Sequence, residues 1–577
     1  MAENEIKTET KPVGRPNIYV QSLTFNDGTT LPVNKNDIVV FVGPNNVGKS
    51  QALKDVECLA KTATPGIIVP TVAFSGFSQN GTIDGISLWL EKTIPHWEGF
   101  RGQHVYAGLD FMISTDVACQ PFMKNGPWEL AKVFVCSIKT DSRLSVSTPP
   151  EIMDIVKQPK HPIHVLQQNA GIRNKVSKYF KLAFDVPLVL FTQFGKHLPL
   201  VLGPKPKLLD EYSDEIEREE KVAGILRSYP HLERQGDGMR SFAGIMLYLS
   251  IDHYNTFLID EPELFLHPPQ ARLMGEIVGD LLSNEQQAFI STHSIHFIQG
   301  LLEKCPERVK VVRITRTGNT NAFSILDKSR LLELSKDPFM KYSNVLEGLF
   351  YKNVVLCEAD ADCMFYSMLN GASDMKGAKS ADTLFVHCGG KQRMAAVVRD
   401  LCALHVDFRV VPDFDIFNDK NTLKNLVEAC GGTWSECERD FNVLSADILN
   451  RSRNDKPENV LLTEIQNLLN ANSFKPVSNS KIESIKSLLE RESEWGRLKK
   501  SGLHGIPSGE PQNACTALLR QLKTIGIHVV PCGELERFVP DCGGHGPSWI
   551  QNVLDTHPEL SDPIFAEAKA FVKSWNL

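Results

Sequence analysis

The sequence predicts an α/β protein made of two successive units, each built on a parallel sheet. Three observations carry that prediction. A buried-strand pattern from Asp37 to Val42 runs straight into a glycine loop, Gly43-Pro44-Asn45-Asn46-Val47-Gly48-Lys49-Ser50, and then into helical spacing. The alternation of strand and helix starts afresh at Tyr351. Carboxylates then fall at strand ends, Glu358 after one strand and Asp413 with Asp415 after another.

The chain of 577 residues is too long for one core and suggests roughly two to four domains. A formal charge of −7 excludes a protein coated in basic surface, so any nucleic-acid site must be local. Thirteen cysteines, without a CxxC pair, fit the reduced thiols of a cytoplasmic protein better than a disulfide framework. Residues 1–16 are polar and read as a flexible lead, neither signal peptide nor anchor. Apolar runs such as Phe257 to Ile259 and Val354 to Cys357 fall far short of the ~18 residues that cross a bilayer, so no membrane is expected.

Taken in order, Ile18 to Phe25 alternates as a strand, Asn26-Asp27-Gly28 marks a turn, and Ser50 to Ala60 has helical spacing with Leu53 and Val56 on one face. A further strand, Asn255 to Ile259, ends in Asp260-Glu261-Pro262-Glu263, and Phe289 to Ser294 follows after a helix. About 200 residues separate loop and strand, far more than one βα unit uses, which points to an insertion. Residues 145–225, with Pro149-Pro150 at the boundary and an acidic run from Asp210 to Glu220, are expected to form a helical module for self-association.

In a loop of this kind backbone N–H groups wrap phosphates, the lysine reaches the outer phosphates, and the following hydroxyl binds Mg²⁺. The candidate ATP-binding residues are therefore Gly43, Asn45, Asn46, Gly48, Lys49 and Ser50. Asp260 would hold the Mg²⁺ shell, Glu261 would polarise the attacking water, and His293 in Ser291-Thr292-His293-Ser294 would sense the γ-phosphate.

The second unit reads as strand Asn353 to Glu358, helix Asp360 to Leu369, strand Thr383 to Cys388, Gly389-Gly390-Lys391, a helix to Leu404, and strand Asp407 to Asp413. Residues 416–520 are polar and mostly helical and separate these from a last strand, Ile525 to Pro531. Glu358, Asp413 and Asp415 at the carboxyl edge suit a hard cation, Mg²⁺ or Mn²⁺, with Asp362 one helical turn beyond Glu358. His528, Cys532, Cys542 and His545 are spaced too irregularly for zinc, and His528 lies within the apolar strand. Arg491, Trp495, Arg497, Lys499 and Lys500 form a basic cluster that reads equally as a phosphate contact or a solvated helix face.

The first half resembles the ABC-type ATPases, in particular the branch with Asp-Glu-Pro-Glu followed by Leu-His-Pro, here Asp260 to Pro268. That resemblance implies a dimer in which a glycine-rich signature, here Gln235 to Ser241 with Gly236 and Gly238, closes over nucleotide held by the other copy. It also implies a glutamine at the metal, for which Gln79 is the candidate. The ordered set Glu358, Asp362, Gly389-Gly390-Lys391 and Asp413-Phe414-Asp415 resembles the toprim domain, with Ala359 where that family usually has glycine.

The combination resembles the OLD (overcoming lysogenization defect) nucleases over nearly the whole chain: an ATPase domain at 17–340 followed by a toprim nuclease domain at 350–577. The resemblance implies a catalytic contribution from Gly533-Glu534-Leu535-Glu536-Arg537-Phe538, with Glu536 first and Glu534 second as second-metal ligand, and a lysine further on, Lys569 or Lys573. It implies an ATP-regulated DNA endonuclease of bacterial anti-phage defence, a homodimer or higher homo-oligomer, and a partner such as a retron reverse transcriptase with its RNA–DNA product. The competing expectations are a DNA-repair or chromosome-maintenance ATPase and a nucleotide-dependent scaffold.

Overall fold

The computed structural model describes residues 18–75 apart from 63, 131–326 apart from 132, 193–194 and 207–214, then 344–372, 382–451, 458–469, 477–489 and 494–575, with short pieces at 90–91, 94, 96–98, 104–107, 112–114, 329 and 332–333. The lead at 1–16, Gln79 and Arg491 lie outside these residues. The chain divides into two compact units, residues 1–336 and 337–577. Among the described residues no helix is long and apolar enough to cross a membrane.

In the first unit β1 (Val20–Thr24) pairs antiparallel with β2 (Thr30–Pro32) and, after β3 (Ile38–Val42) and α1 (Lys49–Thr62), with β4 (Thr71–Phe74). Then come β5 (His96–Glu98), β6 (His104–Ala107) and β7 (Met112–Ser114), an antiparallel trio. Next are β8 (Val135–Ile138), α2 (Thr140–Ser145), α3 (Pro162–Gln168), α4 (Ala170–Phe184), β9 (Leu188–Leu190), β10 (Leu200–Leu202) and α5 (Glu215–Arg227). The stretch at 145–225 is thus not purely helical, because β9 and β10 pair antiparallel with Leu190 opposite Leu200. The rest is α6 (Asp237–Leu249), β11 (Thr256–Asp260), α7 (Pro268–Leu281), β12 (Gln287–Ser291), α8 (Ile295–Lys304), β13 (Val309–Thr317) and β14 (Thr320–Ile325).

The main sheet runs β14-β13-β3-β12-β11-β8, parallel except for β14, which turns back on β13 through Gly318 at φ 62°. Helices cover a parallel sheet on both faces, so its central strands must be apolar on both sides. Every residue of β3 and β12 is accordingly buried. Helix α1 buries Ala52, Leu53, Val56 and Ala60 beneath that sheet, the expected face. Gln287 fixes the sheet's rim, accepting from the Val20 N–H at 2.7 Å and donating to the Val20 and Asn34 carbonyls at 3.1 Å each.

The second unit begins with β15 (Asn353–Cys357), α9 (Asp360–Asn370), β16 (Thr383–His387), α10 (Lys391–Ala403) and β17 (Asp407–Val411). All three strands are parallel, in the order β16-β15-β17. The expected last strand is reduced to a parallel bridge of Val410 with Ile527, flanked by His528 N–H to Val410 O (2.8 Å) and Val530 N–H to Pro412 O (3.0 Å). Between β17 and this bridge lie α11 (Lys420–Ala429), α12 (Trp434–Arg451), α13 (Glu458–Leu468), α14 (Asn479–Leu489), α15 (Glu494–Ser501) and α16 (Glu510–Thr524), the helical segment expected there. After it come α17 (Pro547–Thr556) and α18 (Ala566–Lys573), whose Trp549 and Phe571 join Phe365, Tyr366, Phe538 and Trp575 in one aromatic cluster.

His528 is buried beside Trp575 and faces Arg409 and Lys523; burial, then those two cations, push its pKa down to about 4. Because the unfolded histidine binds its proton near 6.5, the unfolded state takes up more protons, and stability falls as pH drops from about 6.5 toward 4. His528→Gln is expected to remove roughly 1–3 kcal/mol of that acid-side loss, read as the difference between parent and variant in denaturant unfolding across this range.

Candidate functional site

The first unit builds a phosphate cradle at the end of β3. Gly43 has φ 142° and lies so close to β13 that a Cβ there would stand 2.1 Å from the Ile314 carbonyl oxygen; Asn46 and Gly48 have φ 61° and 101°. The Lys49 ammonium donates to the carbonyls of Gly43 (2.8 Å) and Pro44 (2.7 Å), which holds it within the loop. Burial lowers its pKa to about 8, against the pull of Glu261, Glu263 and Asp260.

Parallel pairing of β11 with β12 sets Asp260 opposite Ser291. Asp260 Oδ1 accepts from the Ser50 hydroxyl at 2.8 Å and from the Ser291 hydroxyl as well, so the hydroxyl that ends the loop and the strand-end carboxylate meet. Glu261 sits at φ 46°, its N–H on the Ser291 carbonyl at 3.0 Å, and His293 Nε2 lies 3.6 Å from its carboxylate. Burial, then the Lys49 charge, lowers His293 to about 4, so the ring is neutral at pH 7. Glu263, whose motif the sequence shows but whose role it does not, is half-buried and accepts the His293 backbone N–H at 2.6 Å; burial of its carboxylate raises its pKa. Gly236 caps α6 and Gly238 occupies its first turn, where a Cβ would stand 2.8 Å from the Phe265 carbonyl oxygen.

The second unit gathers Glu358, Asp413 and Asp415, each offering a ligand atom within 4.8 Å of the others. Cys357 pairs across to His387 and to Val411, so the residues beyond all three strands share one edge. There the Glu358 carbonyl accepts the N–H groups of Gly389 (3.1 Å) and Gly390 (3.0 Å), and its carboxylate accepts the Asp413 N–H at 3.1 Å. Burial, then Asp415, pushes Glu358 up to about 7; burial, Glu358 and Asp362 hold Asp413 well above the usual carboxylate range.

Asp362 caps α9 through the Ala359 N–H at 2.9 Å, and burial, with the Glu536 charge adding, pushes it to about 6. Glu536 accepts the Gly546 N–H at 3.0 Å and lies 2.6 Å from His545 Nδ1, while Glu534 pairs with Arg537 at 3.3 Å. The structure therefore places Glu536 on the Asp362 side and gives Glu534 a partner of its own. The imagined zinc set does not come together: among the described residues the three carboxylates are the sole group of metal-ligand spacing.

Two amines answer the carboxylates. Lys391 lies 2.9 Å from Asp415 Oδ2, and Lys499 lies 3.3 Å from Asp413 and 3.7 Å from Asp415. Burial works against the Lys499 ammonium, yet Asp413 and Asp415 hold its pKa above the ordinary lysine value. Lys569 is buried on α18 and Lys573 is exposed, so the lysines shown beside this trio come from before the acidic motif. The basic cluster around Lys499 was visible in the sequence; its target was not. Arg497 pairs with Glu494, whereas Lys499 reaches the trio.

Residues 180–299 match the family described as "AAA domain, putative AbiEii toxin, Type IV TA system". No curated protein matches the chain. Solved structures similar to it include an SmcHead bound to the C-winged helix domain of ScpA (11% identity, 55% of this chain and 99% of that one, TM-score 0.33). Two others are the SMC head domain from Thermotoga maritima (10%, 54% and 98%, TM-score 0.26) and an ATP-binding cassette of an ABC transporter in its ADP conformation (11%, 56% and 96%, TM-score 0.26). These scores are low, and the assignment of the first unit as a P-loop ATPase fold rests on its strand order, the cradle between β3 and α1, the Ser50–Asp260 contact and the family match.

Lys49→Ala removes the cradle's cation, and a hydrogen bond to a charged group contributes about 1.5–3 kcal/mol, so ATP affinity is expected to fall roughly ten- to a hundredfold. Glu261→Gln is expected to keep that affinity and slow phosphate release, and equal hydrolysis by this variant and the parent would remove Glu261 from the role of water-polarising base.

Proposed function

We propose that the chain is an ATP-binding, ABC-type ATPase fused to a toprim-like, Mg²⁺- or Mn²⁺-dependent endonuclease of the OLD kind, acting on DNA in the cytoplasm as a homodimer or higher homo-oligomer. The setting we propose is bacterial anti-phage defence, with a reverse transcriptase and its RNA–DNA product as partner. One observation carries the nuclease reading: three carboxylates from the ends of two adjacent parallel strands converge within 4.8 Å, next to two lysines.

The donor set fits a hard divalent cation, because every ligand is a carboxylate oxygen and the neighbouring amines leave the cluster short of full neutralisation. Glu358, Asp413 and Asp415 would hold the ion, with Asp362 and Glu536 available to a second. When bound, the metal supplies a polarised water and charge stabilisation at phosphate. Lys499 and Lys391 offer ammonium groups to the non-bridging oxygens of a phosphodiester brought to this edge, as positioned cations do for developing negative charge. Lys391, bonded also to the Asp415 carbonyl at 3.0 Å, fixes the second carboxylate of the Asp-x-Asp pair.

Nicking of supercoiled plasmid by the purified protein with Mg²⁺ or Mn²⁺ tests the reading. Asp413→Ala and Asp415→Ala are each expected to reduce cleavage by roughly a hundredfold or more, since even outer-shell losses at metal sites cost up to that much, while ATP binding stays at the parental level. Undiminished cutting by both variants would move the chemistry elsewhere; no cutting by the parent with any required partner present would leave the second unit as a binding module.

ATP can regulate cutting only if it binds one arrangement of the protein better than another. Cleavage rates are therefore expected to differ between the apo, ATP-bound and ADP-bound protein, and Lys49→Ala to erase that difference with the metal site intact. Identical rates in all three states would reduce the ATPase unit to a scaffold.

A further inference from the structure

Arg143 is among the largest side chains of the chain that are wholly buried, at 0% exposure, and it lies in α2 just beyond the edge strand β8. Its Nη1 donates to the carbonyl of Asp260 at 2.9 Å. Among the described residues its Nε and Nη2 have no acceptor within hydrogen-bond reach. A buried guanidinium with one bond out of its five possible donors is costly unless charges nearby favour it. Those charges are the carboxylates of Glu263, Asp260 and Glu261, the turn that carries the metal ligand and the water-polarising residue.

The backbone of the same residue touches a second element. A Cβ on Gly244 of α6 would stand 2.1 Å from the Arg143 carbonyl oxygen, so α6 packs against α2 with no room between them. Arg240, one turn earlier on α6, ties the two further through Ser147 Oγ (3.2 Å) and the Leu144 carbonyl (3.1 Å). Helix α6 begins at the Gly236-Asp237-Gly238 loop. A continuous run of packed groups thus leads from that loop, along α6, through α2 and the Arg143 fork, to the Asp260-Glu261 turn.

We propose that Arg143 is a positioning residue for ATP hydrolysis, fixing the Asp260-Glu261 turn from beneath and passing to it the position of the glycine loop at the start of α6. The inference rests on the ATPase reading of the first unit. Arginine suits the task because its planar fork can hold a carbonyl and a carboxylate at once, with Glu263, whose buried Oε2 also has no hydrogen-bond partner among the described residues, the candidate for the spare donors. Lysine keeps the buried charge without the fork, and methionine keeps the volume without the charge.

The test uses the full chain with Arg143→Met and Arg143→Lys, reading ATP affinity with a fluorescent ATP analogue and hydrolysis by phosphate release. In Arg143→Met, affinity is expected to stay within about threefold of the parent while kcat falls by more than roughly tenfold, and Arg143→Lys to recover part of the loss. A kcat within tenfold of the parent, or affinity falling in step with kcat, would overturn the proposal, the second outcome marking a merely structural arginine. Should Arg143→Met fail to fold, Arg143→Lys alone is read: a kcat more than about threefold below the parent at unchanged affinity is expected, and a kcat within about threefold of the parent, or affinity falling in step with it, would overturn the proposal. A parent that hydrolyses no ATP overturns the ATPase reading and this inference with it; a hydrolysing parent and an equally active Arg143→Lys and Arg143→Met overturn this inference alone.

Discussion

Parallel pairing in register is the constraint on which both sites depend. In the first unit it sets Asp260 opposite Ser291, and in the second it ends β15, β16 and β17 level with one another. A strand that slipped by one residue would turn every side chain to the other face, so Glu358 would leave the edge and the cluster would lose a carboxylate. The slip is opposed by burial on both faces: Val354, Val355, Leu356 and Cys357 are all fully buried. The cores exist in this sense to hold two edges straight.

The legible parts of the chain were those where local pattern and tertiary demand agree. Asp37 to Val42 reads as a buried strand and is one from Ile38; the glycine loop and α1 follow where expected, and Glu358, Asp413 and Asp415 converge as their strand ends imply. Short antiparallel strands such as β5 to β7 and β9 with β10 were lost because three or four residues carry too little periodicity to rise above their surroundings. The last strand was overread: Ile527 to Val530 is apolar because it is buried beside β17, yet it forms a single bridge rather than a ladder.

The cations that lie outside the motifs, Lys499 and Arg143, were the least legible residues of the two sites. Lys499 reads as one charge among several on a polar helix, and only the packing of α15 against the turn Phe414–Asn418 reveals where it reaches. Arg143 lies 117 residues before the carbonyl it holds, with nothing in its neighbourhood to suggest a buried cation. Carboxylates at strand ends announce themselves by position, whereas the cations that answer them come from any distance along the chain. Low effective dielectric then makes the pairing matter, since each buried charge has few other ways to be compensated.

The place where α15 meets the acidic loop has a consequence for how this protein could be re-engineered. Gly502, at φ 53°, would put a Cβ 2.1 Å from the Pro531 carbonyl oxygen, and Gly533, at φ 113°, would put one 2.1 Å from that of Lys499. The two backbones are pressed together at a point that admits no methyl group on either side. Helices α13 and α14, by contrast, contact each other, and none of the residues of α13 is buried. A reporter or affinity handle spliced into the chain between α13 and α14 would leave that seam untouched, whereas the same cargo placed at 499–503 would pry a lysine away from the carboxylates it faces. The long polar excursion out of the sheet is thus stapled at its near end.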